Sequence, residues 1–295
     1  MEKLLTILTP TYNRGKYLED IFKVLQQQTN QNFEWLIVDD GSTDNTKEIV
    51  ESFIESNKLR IRYFCKENGG KHTAVNYGLK YISTKLTVIL DSDDTFTNDA
   101  VEVIEKTYNE NKNEENICGF TFLRQRKNGD LFGKAFPREG RYNFSEWRLS
   151  KISTGERCDV FYSEIMKQYP FSEYEGEKYI GESTMMIKMS YKYDMIGKNT
   201  VIGISDYLEG GLTDSNRMLR LHSLLGSIEY CNLCMMPGIY WRRRLKSALL
   251  YDTYGFLKNI GLRKLINDSN APLLTTIFYP ISIIIGKYWK NKYKL

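Results

Sequence analysis

The chain reads as an α/β protein: a mostly parallel central sheet with helices on both faces, and a helical extension toward the C-terminus. Three observations carry that expectation. Short apolar runs alternate with amphipathic segments, β-α-β-α-β-α-β-α, over about the first third of the 295 residues; this is the rhythm of a covered parallel sheet. Each apolar run ends in a polar loop of unusual composition: Pro10 to Asn13, Asp39 to Thr43, Asn68 to Lys71 and Asp91 to Asp94. In such sheets ligands bind at the carboxyl ends of strands. Finally, the run Leu86 to Leu90 delivers Asp91, Asp93 and Asp94 within four residues. Acids at the end of a buried strand are costly unless a cation neutralises them. The plainer role is a turn plus helix cap, which suits Asp and Ser equally well.

Taken in order, Leu4 to Leu8 is expected as a buried strand, broken by Thr9-Pro10-Thr11-Tyr12-Asn13. Leu18, Ile21, Phe22 and Leu25 recur at helical spacing. Phe33 to Val38 is the second strand. Asn45-Thr46-Lys47-Glu48 is a capping-box helix start, with Ile49, Val50, Phe53 and Ile54 as the buried face. Leu59 to Cys65 is the third strand, followed by the glycine loop and a helix carrying Val75, Leu79 and Ile82. Leu86 to Leu90 is the fourth, and Val101 and Ile104 mark the helix after it. Ile117 to Leu123 is a fifth strand, and Asn128-Gly129 a hairpin turn.

Beyond this point the pattern loosens. Phe136 to Arg157 is aromatic and irregular, and Val160 to Tyr169 reads as a helix ending before Pro170. Phe171 to Glu182 is acidic and rich in tyrosine. Ser183 to Tyr193 reads as a helix, Thr200 to Ser205 as a strand, Asp206 to Thr213 as a loop and Asn216 to Cys234 as one long helix. The domain division expected is 1–215, with 1–110 and 111–215 as halves, then 216–295 as the extension.

Composition excludes several classes. The net charge of +4 gives no basic field of the nucleic-acid kind. Five irregularly spaced cysteines argue against a disulfide framework and for a reducing compartment. Cys231 and Cys234 have no second metal-binding pair, so two buried helical thiols are expected. The N-terminus lacks the features of a signal peptide, which points to the cytoplasm.

Together, Thr9 to Asn13, Val38 to Asp44, Asn68-Gly69-Gly70 with Ala74, Asn76 and Gly78, and Asp91-Ser92-Asp93-Asp94 resemble the family 2 glycosyltransferases of the GT-A fold, among them bacterial capsule and exopolysaccharide enzymes. The resemblance is specific over residues 4 to about 110 and looser to about 215. It implies inverting transfer of a hexosyl or N-acetylhexosaminyl unit from a nucleotide diphosphate donor, commonly UDP, to an acceptor hydroxyl, with Mg²⁺ or Mn²⁺. It implies that 1–110 is the donor half and 111–215 the acceptor side. Pro10, Thr11 and Tyr12 would line the base slot, and Asp39 or Asp40 would accept from the base N–H. Gly70 would allow close backbone approach, and Lys71 would meet the diphosphate as a point charge. Asn76 belongs to the same donor motif, where many relatives have Arg-Asn and this chain has Val75-Asn76. His72 adjoins the phosphate loop; His222 reads as structural.

By the same resemblance Asp91, Asp93 and Asp94 hold the ribose and the metal, with Asp93 central to catalysis. Acid ligands with little nitrogen or sulfur nearby favour Mg²⁺ or Mn²⁺ over zinc. Inversion in one displacement needs a base opposite the leaving group; Glu182 is the first choice, Glu177 the second and Asp159 the third. Two of Glu173, Glu175 and Glu177 suit a solvated face. The Gln-x-x-Arg-Trp signature of processive synthases is absent, so one sugar per encounter is expected.

Leu273 to Ile285 is almost wholly apolar around Pro280, too short to span a bilayer. It is followed by Lys287, Tyr288, Trp289, Lys290, Lys292, Tyr293 and Lys294. This composition suits a membrane-interfacial segment over 271–295. The expectation is a protein peripheral to the inner face of the cell membrane, acting on a lipid-linked or polysaccharide acceptor in cell-surface glycan synthesis. Two other readings are a sugar-nucleotide nucleotidyltransferase, which lacks its glycine- and cation-rich first loop here, and a catalytically silent scaffold.

Overall fold

The structure, a computed structural model, describes residues 3–149, 155–205 and 216–294. The loop expected at Asp206 to Thr213 lies outside them. In chain order the elements are β1 (Leu5–Thr11), α1 (Gly15–Gln26), β2 (Phe33–Asp39), α2 (Thr46–Glu55), β3 (Ile61–Cys65), α3 (Lys71–Leu79), β4 (Leu86–Ile89), β5 (Thr95–Phe96), α4 (Ala100–Asn111), β6 (Ile117–Gln125), β7 (Gly140–Tyr142) and α5 (Phe144–Leu149). They continue with β8 (Arg157–Tyr162), α6 (Ser163–Met166), α7 (Ser183–Ser190), β9 (Asp194–Ile204), α8 (Asn216–His222), α9 (Leu224–Leu233), α10 (Trp241–Leu257), α11 (Leu262–Asp268) and α12 (Pro272–Tyr293).

The chain forms two compact units that interleave in sequence. The first comprises Met1–Asn143, Ser153–Pro170 and Lys192–Leu208; the second comprises Phe144–Ile152, Phe171–Tyr191 and Glu209–Leu295. The whole sheet lies in the first. Its strand order is β3-β2-β1-β4-β8-β6-β9-β5, with β7 also paired to β9. Strands β1 to β4 are mutually parallel; β8 runs against both β4 and β6, and β9 runs with β6. The sheet is therefore mostly parallel, with β5, β7 and β8 reversed. β1 and β2 are buried along their entire length, which is why they read as near-continuous apolar runs. Ile7, Trp35, Ile37 and Val88 anchor the core, with Leu18, Ile21 and Leu25 of α1 packed on it. Burying each such side chain is worth roughly 1.5–3 kcal/mol.

Several local expectations change. The segment expected to be helical from Val160 begins instead as β8, held between β4 and β6, and only Ser163–Met166 is helical. The single long helix expected over Asn216 to Cys234 breaks at Ser223. β1 extends through Pro10 to Thr11. Asn45 makes no side-chain cap on α2; Asp44 Oδ1 accepts from the Thr46 amide at 3.1 Å and the Thr46 hydroxyl at 2.5 Å, holding its own carboxyl low against the upward push of burial.

The second unit is helical. Its core gathers Leu221, Cys231, Met235, Ala248, Tyr251, Tyr254 and Leu265, with Trp289 and Tyr293 packed against it. Cys231 and Cys234 are buried free thiols. Gly286 seats α12 against Phe256 of α10, where an added Cβ would lie 2.4 Å from the ring. The outward face of α12 is apolar: Leu273 is 72% exposed, Ile277 56%, Ile281 50%, Ile284 69% and Tyr288 58%. Their spacing places them along one side of four turns. No described helix is long and apolar enough to cross a membrane.

Candidate active site

Register brings the strand-end loops together. Thr11 pairs with Asp39, and Asp39 with Cys65, so β1, β2 and β3 finish side by side. β4 lies along β1 on its other edge, Leu8 opposite Ile89. Four polar loops therefore open from one rim of the first unit.

Backbone and side-chain bonds join these loops. Asn13, at φ +52°, accepts the Thr43 amide at 2.8 Å and donates its own amide to Ser42 Oγ at 2.8 Å. Asp39 accepts from the Ser42 amide at 2.7 Å and from the Tyr63 hydroxyl at 2.7 Å. Burial and the Asp39 carboxylate together push the Tyr63 hydroxyl upward, so it stays a donor. Asp40 serves the glycine loop: it accepts Lys66 Nζ at 2.8 Å, the Gly69 amide at 3.0 Å, the Gly70 amide at 2.6 Å and Asn68 Nδ2 at 3.2 Å. Gly70 has φ +95°, a conformation open to glycine, and it turns its amide back to Asp40 immediately before α3. Gly41, at φ +80°, lets Asn68 approach: an added Cβ would meet its backbone nitrogen at 3.0 Å. Neither Asp39 nor Asp40 caps α2.

Of the base-slot residues, Pro10 and Thr11 are buried and Tyr12 stands exposed at 47%. Asn76 is half-buried on α3, and His72 is buried in its first turn. Lys71 Nζ lies 2.5 Å from Asp91 Oδ1. Burial pushes the Asp91 carboxyl up, but Lys71 and then Arg124 outweigh it and hold the group below the usual range. Asp93, its side chain 32% exposed, lies 3.9 Å from Arg14.

Asp91 and Asp93 are half-exposed, whereas Ser92 and Asp94 between and after them are buried. Asp94, expected among the metal ligands, has an inward partner: its carboxylate is ion-paired to Arg124 Nη1, which also donates to Ser205 Oγ at 2.8 Å. Arg124 Nε donates to the Arg157 carbonyl at 2.8 Å. Burial raises the Asp94 carboxyl to about 6, Arg124 works against this, and Asp91 adds to it. Arg124 escapes a reading based on apolar periodicity, yet it carries a signal: an arginine that closes the apolar run Ile117 to Leu123 needs a buried anion. Lys66 and Ser205 carry no comparable signal.

The base candidates separate. Glu177, in the second unit, accepts the Leu225 amide at 2.8 Å and the Gly226 amide at 2.9 Å, so its carboxylate anchors the N-terminus of α9. Glu173 and Glu175 are exposed. Glu182 is exposed at the position preceding α7, and Asp159 is half-buried on β8 opposite Thr121.

The oxygen set suits a hard divalent cation. Among the described residues, no three His, Cys, Asp or Glu side chains converge on one metal position. Asp91 and Asp93 are the two half-exposed carboxylates that could meet such an ion, with substrate phosphates and water to complete its shell.

Comparisons with known proteins bear on the fold and the family. S. aureus TarS 1-349 in complex with UDP superposes with a TM-score of 0.64 at 15% identity, over 98% of this chain and 91% of that one. Mannosyltransferase PcManGT from Pyrobaculum calidifontis, in complex with GDP-Man and Mn²⁺, gives 0.57 at 16% identity, over 98% and 88%. Both likenesses are of fold, and the fold is GT-A, as expected. The GalNAc(5)-diNAcBac-PP-undecaprenol beta-1,3-glucosyltransferase of Campylobacter jejuni is 27% identical over 189 residues, 63% of this chain and 59% of that enzyme. The chain spans less than half the length of several other bacterial glycosyltransferases that it matches. The family profile described as Glycosyl transferase family 2 matches residues 6–163, more than half of the sequence and every strand-end loop of the rim. The chain belongs to glycosyl transferase family 2.

Proposed function

We propose that the chain transfers a sugar from a UDP-sugar to a hydroxyl of a lipid-linked or polysaccharide acceptor in cell-surface glycan synthesis. One sugar is added per encounter, with inversion. The observation that carries the reading is the joined rim: four strand-end loops, locked by Asn13, Asp39 and Asp40, present half-exposed Asp91 and Asp93 beside Lys71. The nucleotide complexes of TarS and PcManGT support a nucleotide-linked donor. The Campylobacter enzyme's name, with its diphosphate-undecaprenol acceptor, supports a lipid-linked one.

Each residue has a part in this reading. Pro10, Thr11 and Tyr12 form the slot for the base. Asp40 is committed to the glycine loop, so Asp39, with lone pairs to spare beyond its two donors, accepts from the base N–H. Gly70 gives the donor close access to backbone, Asn76 supports that loop, and Lys71 exchanges Asp91 for a phosphate oxygen. Asp91 and Asp93 would hold Mg²⁺ or Mn²⁺. Such an ion would supply positive charge to stabilise the departing nucleotide diphosphate. Asp94 holds Arg124 and positions the acid loop. Glu182 takes the proton from the acceptor hydroxyl as the sugar moves; Glu177 is already committed to α9. The apolar face of α12 and its lysines lie at a membrane surface, making the protein peripheral at the inner face.

The test is transfer from UDP-sugars to lipid extracts with Mn²⁺, using Glu182→Gln. The variant should bind UDP as the parent does and lose turnover by about 100-fold or more. Retained turnover moves the base elsewhere. No metal-dependent UDP binding by the parent sinks the enzyme reading.

A further inference from the structure

The second unit holds a group of cations that the transfer chemistry above does not use. Arg217 and Arg220 stand one turn apart on α8, Arg243 and Lys246 on α10. The Arg220 and Arg243 guanidinium carbons lie 5.4 and 5.7 Å from the centroid of one ring, that of Tyr230 on α9. Arg243 also donates to the Tyr230 hydroxyl. Arg217 Nη1 donates to the Tyr293 hydroxyl at 3.0 Å, and Lys292 lies 5.7 Å from the Tyr293 ring. The cluster thus adjoins the last turn of α12, whose outer face is the apolar stripe from Leu273 to Tyr288.

Among the described residues no carboxylate lies within ion-pair reach of Arg217, Arg220, Arg243 or Lys246. The ionisable groups around them are phenols and thiols. Burial pushes the Tyr230 hydroxyl and the Cys231 and Cys234 thiols upward, so these stay neutral at pH 7. Arg243 Nε is buried with no acceptor among the described residues. Two guanidinium groups sharing one neutral ring repel each other, and a phosphate oxygen set offsets that repulsion while accepting the spare donors.

We propose that Arg217, Arg220 and Arg243 form a site for the phosphate or diphosphate headgroup of a membrane lipid. The stripe Leu273, Ile277, Ile281, Ile284 and Tyr288 would meet the acyl or prenyl layer beside it. Helix α12 carries Lys287, Lys290 and Lys292 and no acid, so its charge is complementary to an anionic surface and unfavourable for a second copy of the same helix. The proposal rests on the lipid-linked acceptor reading and assigns its headgroup to named residues.

The experiment uses the full chain with the donor site saturated by UDP and Mn²⁺. Three probes are compared: farnesyl diphosphate in phosphatidylcholine vesicles, soluble pyrophosphate, and phosphatidylcholine vesicles alone. The parent should bind the first at least ten-fold more tightly than the other two. Arg220→Gln with Arg243→Gln should lose that ten-fold preference while UDP affinity stays unchanged. Arg217→Gln, an exposed position that leaves the Tyr230 stack intact, should lose about three-fold and serves if the double variant does not fold. Equal binding of soluble pyrophosphate overturns the lipid assignment, and a parent-like preference in both variants overturns the site. Absence of UDP binding by the parent overturns the glycosyltransferase reading instead and is seen before any probe is added.

Discussion

The rim of the first unit and the Tyr230 cluster of the second treat charge in opposite ways. In the first, the buried or half-buried acids of the rim meet named donors: Asp39 takes Ser42 and Tyr63, Asp40 takes Lys66 and two amides, Asp91 takes Lys71, and Asp94 takes Arg124. In the second, Arg217, Arg220 and Arg243 rest on tyrosines, and Asp252 is fully buried with neither oxygen hydrogen-bonded among the described residues. The difference separates two uses of polar groups. Paired charges fix loops in place before a ligand arrives. Charges without counter-ions leave a cost that only a ligand or a proton removes.

The largest effect expected from breaking this contrast is at Asp93. Asp93→Ala removes one of the two carboxylates proposed to hold the metal and should weaken Mn²⁺-dependent UDP binding by more than about 100-fold; calorimetric titration with and without Mn²⁺ reads it, and unchanged affinity would withdraw the metal assignment. Next comes Asp40→Ala, which takes the counter-ion from Lys66 and the acceptor from the Gly69 and Gly70 amides together. It should destabilise the fold by about 3–5 kcal/mol in urea unfolding, and a loss below 1 kcal/mol would show that the loops are not joined through it.

A smaller effect is expected in the second unit, at Asp252. Burial raises this carboxyl to about 8, above its unfolded value of about 4. Between those limits the folded chain keeps a proton that the unfolded chain has lost, so stability falls as pH rises through the window. Asp252→Asn carries no such charge. Its thermal midpoint should match the parent near pH 4 and exceed it by several degrees at pH 8; parallel curves would mean that the carboxyl has a partner. Smallest for the fold is Ile281→Glu with Ile284→Glu. Both positions are exposed, so stability should stay within about 0.5 kcal/mol, while sedimentation with anionic vesicles should be lost. Retained sedimentation would detach the stripe from the membrane.

Much of the first unit was legible in the residues because a doubly covered parallel strand leaves an unmistakable trace. The runs at Leu5, Phe33 and Leu86 are mostly apolar, with Thr6, Glu34 and Thr87 buried among them, and the acids and glycines at their ends have few other uses. β8 was not legible. Cys158, Val160 and Phe161 fit either period, and only pairing with β4 and β6, far away in sequence, selects the strand. The same holds for the acids. Sequence placed Asp91, Asp93 and Asp94 together, but their separation into outward Asp91 and Asp93 and inward Asp94 depends on Arg124, thirty residues later. Glu177 illustrates the reverse: among neighbouring glutamates it reads as solvated or catalytic, and contact with the start of α9 makes it structural.

Asp40 also bears on the thermodynamics of recognition. Holding Lys66, Asn68, Gly69 and Gly70 from one carboxylate means that the glycine loop loses its conformational entropy when the chain folds. A donor that meets this loop finds it already ordered, and little of its binding energy is spent on immobilising backbone. Affinity on this side of the reaction then rests on contacts with the nucleotide itself, and a sugar nucleotide differing only in its sugar would be held nearly as well.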